Sequence, residues 1–168
     1  MTVTAPVSIR RSLRDGDPER IVALHDRVYR AEWERNEEFV AAVERNVLAA
    51  RAAGWPERGG AVWLVERERE LHGSLGLTDE GGGVGHVRWF VFAPELRGQG
   101  LGRSLLEELL AQARDVGMRR LELETFSALT AAARLYRAAG FEVTSVRERD
   151  DWGPTIEYQH YCLDLHRG

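Results

Sequence analysis

The chain has 168 residues, of which 43% are hydrophobic and 30% charged, the composition of an ordinary globular domain with one full core. Its formal net charge of −4 argues against a nucleic-acid-binding surface, which is usually basic. No stretch approaches the ~20 apolar residues that a membrane span needs. We therefore predict one domain, residues 7–168, with neither a nucleic acid nor a membrane as its partner.

Cys162 is the only cysteine, which excludes an internal disulfide and argues against a zinc site built from cysteines. A single thiol also fits a reducing compartment. The first ten residues contain no apolar signal-peptide core, so we expect a cytoplasmic location.

The first half of the chain predicts a strand, two helices and a hairpin. Val7–Leu13 alternates like a short strand, and Asp15-Gly16-Asp17-Pro18 then predicts a turn and a helix start. Apolar residues at helical spacing predict two helices, the second ending at Gly54-Trp55-Pro56: Ile21, Leu24, Val28 and Tyr29, then Phe39, Val43, Val47 and Leu48. Ala61–Glu66 and Leu71–Leu77 predict the hairpin.

The second half predicts strands alternating with helices. The predicted elements are a strand at His86–Phe92, a helix at Leu101–Val116, a strand at Arg120–Thr125, a helix at Leu129–Ala139 ended by Gly140, and strands at Glu142–Glu148 and Thr155–Leu165. The whole order is β-αα-βββ-α-β-α-ββ, typical of an α/β fold with a mixed sheet.

A glycine-rich bend joins the His86–Phe92 strand to the next helix. Gly98, Gly100 and Gly102 let successive backbone N–H groups point inward, and the helix start adds its positive dipole end. Arg97 and Arg103 flank the bend, so the segment predicts a phosphate site. A tight structural turn stays open as an alternative. A Walker loop is excluded because the chain contains no lysine.

Two motifs carry a family resemblance. Arg97-x-x-Gly100-x-Gly102 resembles the acyl-coenzyme A loop of the GNAT-superfamily N-acetyltransferases, and Ala132-x-x-Leu135-Tyr136-x-x-x-Gly140-Phe141 is similar to a second signature of that superfamily. The C-terminal half also resembles acetyltransferase domains fused to MarR-type regulators, and we expect no winged-helix segment before it; the resemblance rests on Arg134-Leu135-Tyr136, Gly140-Phe141, Trp152-Gly153 and Gln159-x-Tyr161. The resemblance implies a GNAT-like mixed sheet whose central strands splay apart.

The resemblance implies acetyl-CoA as co-substrate and no metal. The backbone of Val91 and Phe92 would pair with the pantetheine arm, and the bend would hold the pyrophosphate through Arg97, Gly98, Gln99, Gly100, Leu101, Gly102, Arg103 and Ser104. Small-molecule or peptide amines are the expected acceptors, and a homodimer is possible.

Catalytic roles follow from the same resemblance. Tyr136 lies where the family places the phenol that protonates the leaving thiolate, and core packing is the alternative for this ring. Glu124 aligns with a general base of some relatives, although Glu122 and Glu124 together also fit the solvated face of a strand. His25 is a further candidate base or a structural histidine.

Acceptor residues are expected after the first helix and near the C-terminus. Tyr29, Glu32 and Trp33 offer a carboxylate beside two aromatic rings, and Trp152 with Tyr161 is the second group. A helix corner and a sheet edge are the alternatives for these two groups. Leu129 departs from the family pattern, in which asparagine contacts coenzyme A.

Two other functions remain open. A dinucleotide-binding protein also has a glycine bend followed by an acidic residue, but the spacing here is Gly-x-Gly-x-Gly. A module that binds acyl-CoA as a sensor without turnover is the second alternative, and Tyr136 argues against it.

Overall fold

The computed structural model describes residues 4–166, which form a seven-stranded sheet and four α-helices. The elements are β1 (Ser8–Arg10), α1 (Asp17–Trp33), α2 (Glu37–Ala52), β2 (Ala61–Arg67), β3 (Glu70–Asp79), β4 (Val84–Phe92), α3 (Leu101–Asp115), β5 (Arg120–Phe126), α4 (Thr130–Ala138), β6 (Glu142–Arg149) and β7 (Ile156–Asp164). The predicted order is confirmed. A short 3-10 helix at Pro94–Leu96 was not predicted, and residues 167 and 168 of the predicted domain lie outside the described residues.

The sheet has the strand order β1-β2-β3-β4-β5-β7-β6, and only its β4–β5 pair is parallel. That pair is short, because Val84–His86 is matched with Arg120–Glu122 and the pairing then ends. A positive φ of 52° at Trp89 bends β4 just beyond this point, beside a register shift in β3. The predicted splay of the central strands is therefore confirmed, and it opens a gap between the carboxyl ends of β4 and β5.

Alternating side chains give each face of the sheet its own core. Leu121 and Leu123 of β5 face α3, whose apolar stripe is Leu105, Leu109 and Ala113. The other face packs against α1 and α2 through Ile21, Leu24, Val28, Phe39, Val43 and Val47. Leu48 was predicted on the apolar stripe of α2 but is 50% exposed, because it lies one position past Val47 and turns toward solvent.

A buried ion cluster fixes α1 to the sheet edge. The carboxylate of Asp17, 1% exposed, accepts hydrogen bonds from Arg10, Arg20 and the backbone N–H of Arg14. Burial alone would raise the pKa of Asp17, but these donors outweigh it and hold the pKa below its ordinary value. The helix that forms one wall of the site is thereby anchored at its N-terminus.

The end of α4 has the geometry that Gly140 predicts. Gly140 has a φ of 101°, its N–H bonds to the Arg137 carbonyl, and the Phe141 N–H bonds to the Tyr136 carbonyl. These two bonds make a Schellman motif, which fixes the turn carrying Tyr136.

Within the described part of the chain, none of the four helices combines the length and the apolarity needed to cross a bilayer.

Candidate active site

Two clefts open where β4 and β5 part. The larger, the loop cleft, has a volume of about 440 Å³ and is lined by residues that include Trp33, Val91, Phe92, Arg97, Gly98, Gly100, Leu101, Gly102, Arg103 and Thr130. The smaller, the aromatic cleft, has a volume of about 170 Å³ and is lined by residues that include His25, Phe39, His86, Arg88, Glu124, Phe126, Trp152 and Tyr158. The clefts meet at residues that line both: Tyr29, Phe90, Leu129, Ala132 and Tyr136.

The bend at Arg97–Ser104 forms one wall of the loop cleft. Gly98 and Gly100 have φ values of 76° and 75°, a backbone conformation that residues other than glycine rarely adopt. A Cβ at either position would meet no atom within 4 Å, so the space in front of them is open. Gly100 caps α3, and the first N–H groups of that helix point out of its start without intrahelical partners. This wall has the geometry and the charge preference of an anion site.

Arg97, which was predicted to bind the phosphate, lines the loop cleft but is paired with a carboxylate. Its guanidinium donates to both carboxylate oxygens of Glu32, at 2.6 and 2.7 Å, and to the carbonyl of Phe92. The hydrogen bonds from Arg97 hold the pKa of Glu32 below its ordinary value. Glu32 and Trp33 therefore lie beside the loop cleft, not in the aromatic cleft with Tyr29 and Trp152.

The other predicted loop residues divide into two groups. Arg103 lines the cleft, although its Nε donates to the exposed Glu107 at 3.2 Å. The side-chain amide of Gln99 donates a hydrogen bond to the Glu95 carbonyl. Ser104 lies in the first turn of α3, and its backbone N–H donates to the Gly100 carbonyl. Neither of these two side chains is among the cleft-lining residues.

The end of β4 presents backbone groups to the gap. The N–H of Ala93 bonds to the His72 carbonyl of β3, and successive residues of a strand point their backbone groups to opposite sides. The N–H and the carbonyl of Phe92 therefore face away from β3, toward the loop cleft. Val91, whose side chain packs in the α1/α2 core, precedes it in the same wall.

Tyr136 stands at the junction of the two clefts. Its ring is only 5% exposed and packs on Phe90, Phe141 and Tyr161 at centroid distances of 6.3, 5.9 and 5.7 Å. Burial, with smaller contributions from Tyr29 and Tyr161, raises the pKa of its phenol far above the ordinary value. The phenol is thus held protonated, in the form that can donate a proton.

Glu124 belongs to a charged row at the base of the aromatic cleft. Its carboxylate is 2.7 Å from Nε2 of His86 and 3.8 Å from Nε2 of His160. Burial would raise the pKa of Glu124, but the hydrogen bond of His86 and the charges of His86, His160 and Arg88 outweigh it and lower the pKa. With Glu124 ionised, His86 donates through Nε2 and leaves Nδ1 as its basic atom.

Aromatic rings form a connected cluster in the aromatic cleft. Phe39 lies between Tyr29 and Trp152 at centroid distances of 4.9 and 5.4 Å, and Phe126 contacts Tyr29 and Tyr158 at 5.7 and 5.9 Å. The guanidinium of Arg149 covers Trp152 at 3.5 Å. Tyr161, which sequence grouped with Trp152, is instead a core residue on the opposite face of the sheet.

His25 is buried in the wall of the aromatic cleft, and its Nδ1 is 2.7 Å from the Ile21 carbonyl. Burial lowers its pKa to about 4, which makes the ring a weak proton acceptor at neutral pH. Leu129 caps α4 without a side-chain hydrogen bond, so the position lacks the polar contact expected of asparagine.

His86, Arg88 and His160 were not predicted as site residues. His86 is placed against Glu124 by the short parallel register of β4 with β5, and His160 by the antiparallel register of β5 with β7. Sequence alone offered one signal, a histidine at the start of the strand that feeds the bend.

Solved structures share this architecture. A GNAT-family acetyltransferase of Staphylococcus aureus Mu50 matches with a TM-score of 0.73 at 15% identity, over 95% of this chain and 99% of that one. The yncA acetyltransferase of Salmonella typhimurium, solved with acetyl-CoA, matches with a TM-score of 0.72 at 20% identity. The match covers 96% of this chain and 95% of that one. At these identities the likeness establishes the fold, which is that of the GNAT acetyltransferases.

Sequence comparison extends the match to the family. YjgM of Escherichia coli K12, described as an uncharacterized N-acetyltransferase, is 36% identical over 91 residues, 52% of this chain and 54% of that protein. Mycothiol acetyltransferase of Cellulomonas flavigena is 32% identical over 111 residues, which are 60% of this chain and 32% of that protein. The chain thus spans about half or less of these relatives. The model of the Acetyltransferase (GNAT) family matches residues 18–141, and the chain belongs to that family.

Proposed function

We propose that the protein is an N-acetyltransferase that moves an acetyl group from acetyl-CoA to a primary amine by direct transfer in a ternary complex. The observation that carries this proposal is the position of Tyr136 in the walls of both clefts. A proton donor at such a junction is within reach of a donor bound on one side and an acceptor bound on the other.

The loop cleft would hold acetyl-CoA. The open space before Gly98 and Gly100 and the start of α3 suit the pyrophosphate, with Arg103 at the rim. The pantetheine arm would lie along Val91 and Phe92, where β5 no longer pairs with β4 and the Phe92 carbonyl accepts hydrogen bonds from Arg97. The Phe92 N–H is the proposed donor to the thioester oxygen as negative charge develops on it.

Different groups at the junction would carry out the two proton transfers of the reaction. The amine nitrogen attacks the thioester carbonyl carbon, a C–N bond forms, and the C–S bond breaks on collapse. Tyr136 would give its proton to the departing sulfur. The ammonium proton would pass, directly or through water, to Glu124 or to Nδ1 of His86, which Glu124 orients and stabilises once charged.

The aromatic cleft would take the acceptor. Its rings suit an amine with an apolar or aromatic body, and the carboxylate of Glu124 attracts the ammonium form. Tyr29 and Trp152 keep their predicted acceptor roles in this proposal. Glu32 and Trp33 would act at the boundary with the loop cleft, where the Arg97 pair lies.

Several further assignments from the sequence remain predictions. They are a single domain over residues 7–168, a likeness to domains fused to MarR-type regulators, a cytoplasmic location, a possible homodimer, and catalysis without a metal. A sensor module that binds acyl-CoA without turnover is less favoured, because Tyr136 and the His86–Glu124 pair have no use in binding alone.

An amine screen tests the proposal. Purified protein with acetyl-CoA and a library of small amines, amino acids and peptides is followed by release of free thiol, and the acetylated product is identified by mass. We expect at least one amine to be acetylated in proportion to enzyme. Tight acetyl-CoA binding without thiol release for any amine would favour the sensor.

A further inference from the structure

A cluster of three metal-ligand side chains lies outside both clefts, on the sheet face formed by β5 and β7. Glu122, His160 and Cys162 each offer one ligand atom, and these atoms all lie within 4.8 Å of one another. Glu122 and Cys162 are directly opposite in the register of the two strands, and His160 precedes Cys162 by two residues on the same face. Regular strands therefore hold all three groups.

The separations in this cluster are those of long, weak hydrogen bonds and are close to the spacing of ligands around one ion. Nε2 of His160 is 3.7 Å from Oε2 of Glu122, and Sγ of Cys162 is 4.0 Å from Oε1 of Glu122 and 3.7 Å from Nδ1 of His160. Ligand atoms around a tetrahedral zinc lie about 3.3–3.6 Å apart at ordinary bond lengths. Side-chain shifts of a few tenths of an ångström would bring the carboxylate and its partners to that spacing.

Thr144 orients the histidine for this role. Its hydroxyl is 2.7 Å from Nδ1 of His160 and 3.3 Å from the His160 carbonyl. Nε2, the other ring nitrogen, faces the carboxylates of Glu122 and Glu124 at 3.7 and 3.8 Å. In the metal-bound form Nδ1–H would donate to the Thr144 hydroxyl and Nε2 would bind the ion. A hydrogen bond from the ring nitrogen that does not bind the metal usually supports a metal-bound histidine.

A cation already lies among these groups. Nη2 of Arg120 is 2.9 Å from Sγ of Cys162 and 3.0 Å from Oε1 of Glu122, with its side chain 51% exposed. The guanidinium thus contacts two of the three ligand groups from the solvent side. An exposed arginine can swing away, which would free both groups for a metal ion.

We propose that Glu122, His160 and Cys162 form a binding site for a thiophilic divalent cation of the zinc type, with solvent in the fourth position. Thiolate, imidazole and carboxylate are all zinc ligands, and binding releases the thiol proton. A single cysteine argues only against a zinc site built from cysteines, whereas the register of β5 with β7 assembles a mixed set of ligands. Nε2 of His160 also lies 3.8 Å from Glu124, the proposed base, so the site is tested by metal binding and not by acetyl transfer.

Titration with Co²⁺ tests the site, because a cobalt–thiolate bond gives a charge-transfer absorption band. We expect the reduced, chelator-treated protein without a histidine tag to develop this band at one ion per chain, and Zn²⁺ to bleach it. Cys162→Ser abolishes the band. His160→Gln and Glu122→Gln weaken Co²⁺ binding by ~100-fold, and Thr144→Val by ~10-fold. His72→Gln is the matched control, because His72 also pairs with a glutamate, Glu95, but has no thiol beside it.

Two outcomes would overturn the proposal: no thiolate band at saturating Co²⁺, or an unchanged affinity in His160→Gln and Glu122→Gln, since the thiol would then bind alone. Arg120→Gln supplies an independent readout. Removing the competing guanidinium should tighten Co²⁺ binding several-fold, whereas Arg114→Gln, an exposed arginine on α3, should leave it unchanged. Weaker binding in Arg120→Gln would contradict the displacement. Circular dichroism verifies that each variant is folded.

Discussion

Arg97 and Glu32 form a two-point ion pair, 2.6 and 2.7 Å, that joins the glycine-rich bend to the end of α1. From sequence, Arg97 was predicted to bind the pyrophosphate and Glu32 to bind the acceptor amine. The pair instead places a carboxylate at the loop cleft, where it opposes any anionic ligand and neutralises the cation next to it. The bend is therefore less positive than its arginines suggest.

Removing the charge of Glu32 should strengthen binding of acetyl-CoA. Glu32→Gln leaves Arg97 as an uncompensated cation, so we expect roughly threefold to tenfold tighter binding by calorimetry at low salt, with the gain fading as salt is raised. Arg97→Gln should weaken binding by about the same factor. Glu38→Gln, an exposed carboxylate on α2, is the control. Equal affinities for Glu32→Gln and wild type at low salt would mean that Arg97 does not act on the ligand.

The open space before Gly100 predicts a selective effect of one methyl group. Gly100→Ala should lower acetyl-CoA affinity by ~10-fold or more, because the Cβ occupies the approach of the phosphate. Gly81→Ala is closely matched: its φ is 84° and its Cβ also meets nothing within 4 Å, but it lies in the β3–β4 loop. Both variants carry the same backbone strain of about 1 kcal/mol. Equal affinity losses in the two would point to strain instead of ligand contact.

The phenol of Tyr136 is expected to matter for turnover and not for binding. Tyr136→Phe keeps the packing with Phe90 and Phe141 but removes the proton, so single-turnover transfer should fall by ~10²-fold while acetyl-CoA affinity barely changes. Tyr161→Phe is the control, since that buried phenol bonds only to Gln159 in the described structure. Wild-type transfer rates in Tyr136→Phe would show that another group protonates the thiolate.

The His86–Glu124 pair is expected to accept the amine proton. Glu124→Gln removes the partner that orients His86, so the transfer rate at neutral pH should fall by ~10-fold or more, with acetyl-CoA affinity retained. His86→Gln should act in the same direction. His72→Gln, which breaks a comparable pair with Glu95 outside both clefts, should keep the wild-type rate. If neither cleft variant slows transfer at any pH, water alone takes the proton.

Burial of His25 predicts a pH dependence of stability. Its pKa falls from 6.5 to about 4 on folding, so between these values the unfolded chain binds more protons. Above pH 6.5 the ring is neutral in both states and costs no stability. As pH falls from 6.5 toward 4, the free energy of unfolding decreases by up to about 1.4 kcal/mol per pH unit. Urea unfolding of His25→Gln should therefore show a flatter dependence than wild type over this range. The exposed His166→Gln should keep the wild-type slope; identical slopes for wild type and His25→Gln would exclude the effect.

Local sequence was sufficient wherever a single element carries the signal. Apolar spacing predicted the helices and strands in their correct order, Gly140 predicted the end of α4, and the glycines after β4 predicted the bend. These features depend on neighbouring residues in the chain, through helical and strand periodicity and through the backbone freedom of glycine. The splay of the central strands came with the family resemblance.

Contacts between distant segments were decided only by the tertiary structure. Arg97 and Glu32 are 65 residues apart, and His86 and Glu124 are 38 apart. The partner of a charged side chain depends on strand order and register, and a shift of one residue would turn Glu124, His160 and Cys162 to the other face of the sheet. Sequence by itself thus determined the elements, their order and the glycine-rich bend. The packing of those elements decided which charges meet, because charged groups have no periodicity that encodes their partners.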